Sequence, residues 1–215
     1  MKVTIVYDNE AWDKRLTADW GFACLVEAHG RNILFDTGAS GSILMGNMEK
    51  LGIDPESIED VVISHADWDH TGGLSDFLSA NHDVTLFVPE SFRVGDDVAS
   101  SVVSVKGPVT LHDGINSTGE LGGMEQSLVV ETGRGSVIIV GCSHPGVEEI
   151  LTASLQFGSP YALIGGLHGF DSYDVVKDLE MICATHCTEH AREIESRYPH
   201  AFVQGGAGRV IEIID

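Results

Sequence analysis

Two imidazoles and two carboxylates lie within six consecutive residues, a density that suits a metal site. They are His65, Asp67, Asp69 and His70. Imidazole nitrogen and carboxylate oxygen are common metal ligands in proteins. An apolar, β-branched run at residues 61–64 precedes them and a Gly-Gly pair follows, which is typical of a strand ending in a ligand loop. A polar surface loop is the alternative, but such a loop needs neither the strand nor the glycines.

Three later apolar runs also end close to a histidine. The runs and their histidines are 137–140 with His144, 161–164 with His168, and 181–184 with His186. In α/β folds, ligands collect outside the carboxyl ends of strands, so we expect these side chains to meet the first cluster. The remaining histidines lie in predicted turns or on helix surfaces, and we expect none of them to bind a metal: His29, His82, His112, His190 and His200.

The elements that must position these residues alternate between strands and helices. Helical spacing or helix-end signals occur at residues 42–51, 74–78, 147–155, 173–180 and 189–197. Asp36 ends a strand-like run at residues 32–35, and its carboxylate either hydrogen-bonds a metal-binding imidazole or caps the turn. Residues 95–123 offer only short β-like runs at 102–105 and 109–112, and we expect this region to line the substrate site.

Length and charge exclude several classes of protein. A chain of 215 residues is long enough for one full-sized domain, here residues 1–215, and too short for two comfortable ones. Its net charge of −21 with only 12 basic residues argues against nucleic acid as a partner. The acidity indicates either a solvated face or adaptation to a salt-rich cytosol. Scarce lysine beside an ordinary core composition favours the second, halophilic interpretation.

The sequence also predicts a cytoplasmic protein. The first residues show no apolar signal region, and no run approaches the roughly 20 apolar residues of a membrane span. Four cysteines in a chain of this size do not resemble a disulfide framework, which favours a reducing compartment. We therefore expect a small-molecule substrate and no membrane partner, while the oligomeric state is not indicated.

The motifs together resemble the metallo-β-lactamase superfamily. The resemblance rests on Phe-Asp-Thr-Gly around Asp36, on the stretch from Ser64 to Leu74, and on Gly-Cys-Ser-His-Pro-Gly around His144. It also includes the motifs Gly-Gly-Leu-His168 and His186-Cys-Thr. Together the motifs resemble those of one branch of the superfamily, the dihydropterin ribofuranosylaminobenzene phosphate synthases. The resemblance implies a four-layer αββα fold, with two mixed β-sheets flanked by helices.

The resemblance also implies two divalent metal ions, zinc, manganese or iron. One would be bound by His65, Asp67 and His144, and the other by Asp69, His70 and His186. Asp67 departs from the family pattern, in which a histidine holds this position. If Asp67 binds, its harder oxygen tilts metal preference from zinc toward manganese or iron; otherwise the first site is weakened or vacant.

A metal-dependent hydrolase is the activity that the resemblance implies. Metal-activated hydroxide would attack a small phosphoester, cyclic phosphate or lactone-like substrate. Asp69 and His168 are the candidate catalytic residues, with His168 facing the substrate, although either His168 or Asp171 could fill the fourth motif's role. Asp36 would orient a ligand imidazole, and Cys142 and Cys187 are expected to pack in the core. The alternatives are a synthase of pterin cofactor assembly and a non-catalytic metal or ligand binder.

Overall fold

Thirteen strands form two mixed β-sheets in the computed structural model, which describes residues 1–95 and 98–214. The strands are β1 (Lys2–Tyr7), β2 (Ala23–Ala28), β3 (Arg31–Phe35), β4 (Asp60–Val62), β5 (Thr85–Pro89), β6 (Ser101–Val105), β7 (Val109–His112), β8 (Ile115–Ser117), β9 (Leu128–Thr132), β10 (Gly135–Val140), β11 (Pro160–Gly166), β12 (Met181–Thr185) and β13 (Val210–Glu212). The first sheet has the order β13-β1-β2-β3-β4-β5-β6, and the second has the order β12-β11-β10-β9-β8-β7.

Each sheet contains a parallel part and an antiparallel part. Strands β3 to β6 run parallel in the first sheet, and β10 to β12 run parallel in the second. Parallel neighbours place their carboxyl ends at the same sheet edge, where ligand sites of α/β proteins form. The loops after β3, β4, β10, β11 and β12 contain the histidines and aspartates that the sequence analysis selected.

The described residues form five α-helices, of which four pack on the outer faces of the sheets and one, α2, lies at the sheet edge. They are α1 (Gly41–Leu51), α2 (Trp68–Thr71), α3 (Leu74–Ala80), α4 (Val147–Ser154) and α5 (Ala191–Arg197). Helix α1 ends at Gly52, whose φ of 69° suits glycine because it has no Cβ. The prediction of a helix over residues 173–180 is wrong in length and type. Only Tyr173–Val176 forms a 3₁₀ turn, because the Glu180 amide already donates to the Tyr161 carbonyl beside β12.

Three buried clusters show the four layers. Phe35, Val62 and Ile139 belong to the cluster that joins the inner faces of the two sheets. Leu44 of α1 packs with the outer face of the first sheet, and Ile150 of α4 packs with the outer face of the second. Burying apolar surface on both faces of each sheet stabilises this arrangement. The predicted αββα architecture is confirmed.

Residues 95–123, for which the sequence predicted only short strands, provide an edge strand to each sheet: β6 to the first and β7 to the second. The expected runs at 102–105 and 109–112 lie in β6 and β7, and β8 follows as a further short strand. Residues 96–97 of this region lie outside the described part of the chain. None of the helices within residues 1–95 and 98–214 has the length and apolar character needed to cross a membrane.

Candidate metal centre

Six side chains with potential metal-ligating atoms form two groups of three at the shared sheet edge. The first group is His65, Asp67 and His144; the second group is Asp69, His70 and His186. Within each group, the candidate ligand atoms lie within 4.8 Å of one another. The groups are also close to each other, since the ring centroids of His65 and His70 are 4.1 Å apart. The structure thus brings together all six predicted ligands, and their role as ligands stays a prediction.

Asp36 holds two of the imidazoles through a buried hydrogen-bond network. Its Oδ2 accepts from His70 Nδ1 at 2.8 Å and from Ser64 Oγ at 2.7 Å, while Oδ1 accepts from the Ser64 amide. Ser64 thus donates its only hydroxyl proton to Asp36. The 2.8 Å contact between Ser64 Oγ and His65 Nδ1 therefore requires the imidazole N–H to donate. A turn-capping role alone does not account for this network, because Asp36 fixes both imidazoles.

Glu125 plays the corresponding part for His144, and sequence reasoning missed it. Its Oε2 accepts from His144 Nδ1 at 3.0 Å, and its two oxygens also accept the backbone N–H groups of Cys142, Ser143 and His144. Glu125 is fully buried and lies just before β9. Because β9 is antiparallel to β10, its start lies at the edge where β10 ends. That antiparallel pairing is the signal that could have identified Glu125.

Asn9, in the loop after β1, orients the fourth imidazole. Asn9 Oδ1 accepts from the Gly21 amide and from His186 Nδ1, each at 3.0 Å. Asn9 Nδ2 donates to the His186 carbonyl at 2.9 Å. The amide orientation is fixed by the Gly21 and His186 backbone partners, so Nδ1 of His186 is the donor. Sequence reasoning also missed Asn9, whose loop has no ligand motif of its own.

In all four imidazoles Nδ1 is held by a protein acceptor, so Nε2 is the atom left to bind a cation in the shared space. The Nε2 atoms of His65 and His186 are buried and have no hydrogen-bond partner. Burying an unpaired polar atom costs about 1–3 kcal/mol, and converging lone pairs add repulsion. Fixing the distal nitrogen with a carboxylate, hydroxyl or amide is how proteins orient metal-binding histidines. The donor set thus fits divalent cations, which would relieve both costs.

The local electrostatics favour cations in the same way. Burial lowers the pKa of His70, but the charge of Asp36 and its hydrogen bond outweigh burial and raise it above the ordinary value. Burial raises the pKa of Glu125, but hydrogen bonding from His144 and the charge of His65 prevail and lower it to about 2. The pKa of Asp69 is also lowered, because the contact with His186 Nε2, 3.5 Å from Oδ2, and the charge of His70 outweigh burial. These carboxyl groups therefore stay ionised at neutral pH.

Two exposed tryptophans belong to segments that form the centre: Trp20 contacts Asp69, and Trp68 lies between Asp67 and Asp69 in the chain. Trp20 Nε1 donates to Asp69 Oδ2 at 2.8 Å, and its ring centroid lies 5.4 Å from that of His186. The two tryptophans are 50% and 64% exposed, which leaves their faces available to a ligand. His168 is exposed and its ring centroid lies 5.1 Å from that of His144. Asp171 is also exposed, and among the described residues it joins no candidate metal group.

Cys142 and Cys187 are buried, as expected, and they border the metal centre. Cys142 Sγ lies 3.2 Å from His70 Nε2. Hydrogen bonding with Cys187, followed by burial, raises the pKa of the Cys142 thiol. The same hydrogen bond lowers the pKa of Cys187 to about 5, despite its burial. The expected burial is confirmed, and the position of both sulfurs beside the candidate ligands is a feature that sequence reasoning missed.

The histidines set aside by the sequence analysis lie elsewhere. His112 Nε2 lies 2.8 Å from Asp60 Oδ2, and His29 Nε2 contacts the Glu131 carbonyl oxygen. Within residues 1–95 and 98–214, no candidate metal group includes any of His29, His82, His112, His190 and His200. The separation of ligand candidates from the other histidines thus agrees with their positions.

The backbone is unusual where the strands end. Asp36, Ser143, His168 and His186 have φ angles between 48° and 61°, in the left-handed region that side chains with a Cβ rarely adopt. Each residue costs of the order of 1–3 kcal/mol in this conformation, so the surrounding structure must enforce it. Such strain clusters at functional sites. These four positions coincide with the candidate metal centre and its supports.

Comparison with known proteins agrees with the geometry. Residues 21–186 match the family model described as the metallo-beta-lactamase superfamily. The chain belongs to the metallo-β-lactamase superfamily. A crystal structure described as a metal-dependent hydrolase of the beta-lactamase superfamily has a TM-score of 0.80 at 24% identity, over 100% of both chains.

Two further similar proteins are informative. A 7,8-dihydropterin-6-methyl-4-(beta-D-ribofuranosyl)-aminobenzene-5'-phosphate synthase from Methanocaldococcus jannaschii is 24% identical, over 97% of this chain and 95% of its own length. Zn²⁺-bound PqqB from Methylobacterium extorquens is 15% identical with a TM-score of 0.66, over 99% of this chain and 100% of its own. The structural likenesses establish the metallo-β-lactamase fold.

Proposed function

We propose that this protein is a dinuclear metal-dependent hydrolase of a small phosphoester, cyclic phosphate or lactone-like substrate. The observation that carries the proposal is the convergence of four imidazole Nε2 atoms, each with its Nδ1 held by a protein acceptor. His65, Asp67 and His144 would hold one ion, and Asp69, His70 and His186 the other. Bound divalent ions would supply a nucleophilic water whose pKa is lowered from about 15.7 toward about 7.

The chain's own residues would orient the reactants. Trp20 donates to Asp69 Oδ2 and so fixes the carboxylate in place. His168, exposed beside His144, would donate a hydrogen bond to the oxygen on which negative charge develops. Asp36 and Glu125 keep the imidazoles in position during the reaction.

A pterin-related synthase is the second candidate, and two observations favour it. The relative from Methanocaldococcus jannaschii bears that name and matches 97% of this chain. The exposed rings of Trp20 and Trp68 also suit a flat aromatic substrate, because offset stacking between aromatic rings is favourable. The hydrolase proposal is broader, since it requires only the metal centre.

A substrate panel combined with metal analysis tests the proposal. The purified protein is loaded with zinc, manganese or iron, and its turnover of phosphodiesters, cyclic phosphates, lactones and dihydropterin phosphates is measured. We expect two ions per chain and hydrolysis of at least one ester class. Turnover of dihydropterin phosphates alone would favour the synthase instead. Metal binding below about half an ion per chain would contradict both candidates and favour a non-catalytic binder.

Two variants provide a matched control for this test. His70→Ala removes a buried imidazole of the second group, and we expect it to lose metal and activity together. His112→Ala removes a histidine that contacts Asp60 away from the centre, and we expect it to retain the metal. Metal loss in His112→Ala would refute the division of the histidines into ligands and non-ligands.

A further inference from the structure

The sulfur of Cys142 lies between the two groups of donors. Its Sγ and candidate ligand atoms of other residues lie within 4.8 Å of one another in three sets: with His65 and His70, with His144 and His168, and with His186 and Cys187. Cys142 Sγ is thus grouped with an imidazole nitrogen of all four predicted ligand histidines. No other donor atom within residues 1–95 and 98–214 is grouped with all four. Cys142 is buried, with 4% of its surface exposed.

The hydrogen-bond pattern indicates how this sulfur is used. His70 Nδ1 donates to Asp36, and its other ring nitrogen, Nε2, faces Cys142. Cys142 Sγ lies 3.2 Å from that Nε2, so one hydrogen is shared between the two atoms. A cation that replaced this hydrogen would contact both an imidazole nitrogen and a sulfur. The unpartnered Nε2 atoms of His65 and His186 face the same space.

The end of β11 provides no competing side chain at this edge. A Cβ built at Gly166 would lie 2.5 Å from the Gly141 carbonyl oxygen and 2.6 Å from Cys187 Sγ, so this position accepts only glycine. Cys142 reaches the donors from the neighbouring loop after β10.

We propose that the Cys142 thiolate is a metal ligand shared by the two groups. The proposal rests on the dinuclear centre proposed above and names its seventh ligand. Soft sulfur favours zinc over manganese, so the preference expected from the Asp67 oxygen alone is reversed. Cys187 is placed outside the ligand set, because its Sγ is grouped only with Cys142 and His186.

Cobalt substitution tests the proposal without an activity assay. The metal-free full-length protein is titrated with Co²⁺ in the presence of a non-thiol reductant, and absorption is recorded alongside metal content. We expect two cobalt ions per chain and a thiolate-to-cobalt charge-transfer band in the near ultraviolet. Binding of fewer than two ions would contradict the dinuclear centre. Binding of two ions without the band would overturn the role of Cys142 alone.

Cysteine variants identify the sulfur and show whether it is shared. We expect Cys142→Ser to lose the band and to weaken the binding of both ions by about tenfold or more in competition with a chelator. A loss confined to one ion would overturn the sharing. Cys187→Ser and Cys183→Ser, the latter in the core between the sheets, should keep the band. Loss of the band in Cys187→Ser with Cys142 intact would also overturn the proposal.

A carboxylate at position 142 covers the case in which Cys142→Ser does not fold. Cys142→Asp restores an anionic donor, so we expect two ions per chain, no charge-transfer band and a shift in preference from zinc toward manganese. Its fold is checked by circular dichroism against the unchanged protein. Retention of the band, or an unchanged zinc preference, in folded Cys142→Asp would overturn the proposal.

Discussion

The two groups of donors differ in how far water reaches them. In the first group, the side chains of Asp67 and His144 are 60% and 22% exposed. In the second group, those of His70 and His186 are fully buried, and that of Asp69 is 10% exposed. A buried, hydrogen-bonded group is held in place before the metal arrives, whereas an exposed carboxylate must be ordered by it. We therefore expect the second group to bind its ion more tightly than the first.

The largest effect is expected from removing Asp36, because this carboxylate holds His70 of the buried second group in place. Asp36→Ala leaves the His70 and Ser64 donors unpaired in the interior, and we expect a loss of about 3–5 kcal/mol in the free energy of unfolding, together with the metal of the second group. Denaturant unfolding and elemental analysis measure these losses. Asp36→Asn is the control, because asparagine tolerates the left-handed backbone and keeps one acceptor. Equal losses in both variants would argue against the charge of Asp36.

Glu125 provides the next largest effect, on the first group. Its pKa is about 2 in the folded protein against an ordinary 4.5, so the ionised group contributes about 3 kcal/mol of stability. Because the folded pKa is lowered, this contribution is complete above pH 4.5 and is lost as the pH falls from about 4.5 to about 2. We expect Glu125→Gln to be less stable at pH 7. Its free energy of unfolding, measured with denaturant at each pH, should also fall less steeply between pH 4.5 and pH 2.

The metal affinity of Glu125→Gln distinguishes the two groups further. Loss of the carboxylate that orients His144 should weaken the first ion by about 10–100-fold and leave the second nearly unchanged. Stepwise titration against a chelator gives both constants. An equal loss at both ions would mean that the groups do not bind independently.

Asp67 should affect metal binding with little effect on stability. Its side chain is mostly exposed, so we expect Asp67→Ala to change the free energy of unfolding of the metal-free protein by no more than about 0.5 kcal/mol. The first ion should nevertheless be lost. Asp67→His should bind that ion with a stronger preference for zinc. If Asp67→His instead raises occupancy from near zero, the first group of the natural sequence is vacant.

Salt should produce the smallest effect, and only on exposed charges. The net charge of −21 predicts that screening by KCl raises the melting temperature. Affinity for the ion of the exposed first group should fall with KCl more than affinity for the buried second ion. Melting temperatures and metal affinities measured from low to multimolar KCl check both points. A melting temperature independent of KCl would contradict the halophilic interpretation.

The fold and the convergence of the six candidate ligands were predictable because the motifs are local in the sequence. His65, Asp69 and His70 lie within six consecutive residues after β4, and His144 and His186 each follow a recognisable apolar run. Glu125 and Asn9 were missed because they act through partners distant in the chain, from loops beside strands that pair only in the folded sheets. The position of Cys142 was missed for the same reason, since its contact with His70 joins the two sheets.

The left-handed strand ends have a consequence for how this centre can evolve. Among residues with a Cβ, asparagine, aspartate and histidine adopt that conformation most readily, and aspartate and histidine are also good metal ligands. Backbone geometry and metal chemistry therefore select from the same short list at His186, and at Asp36 backbone geometry combines with the need for a carboxylate that accepts from His70. Asp67 has an ordinary extended backbone, with φ at −65°, and is free of the first constraint. Inherited variation in metal preference is expected to accumulate at position 67, while positions 36 and 186 stay nearly invariant.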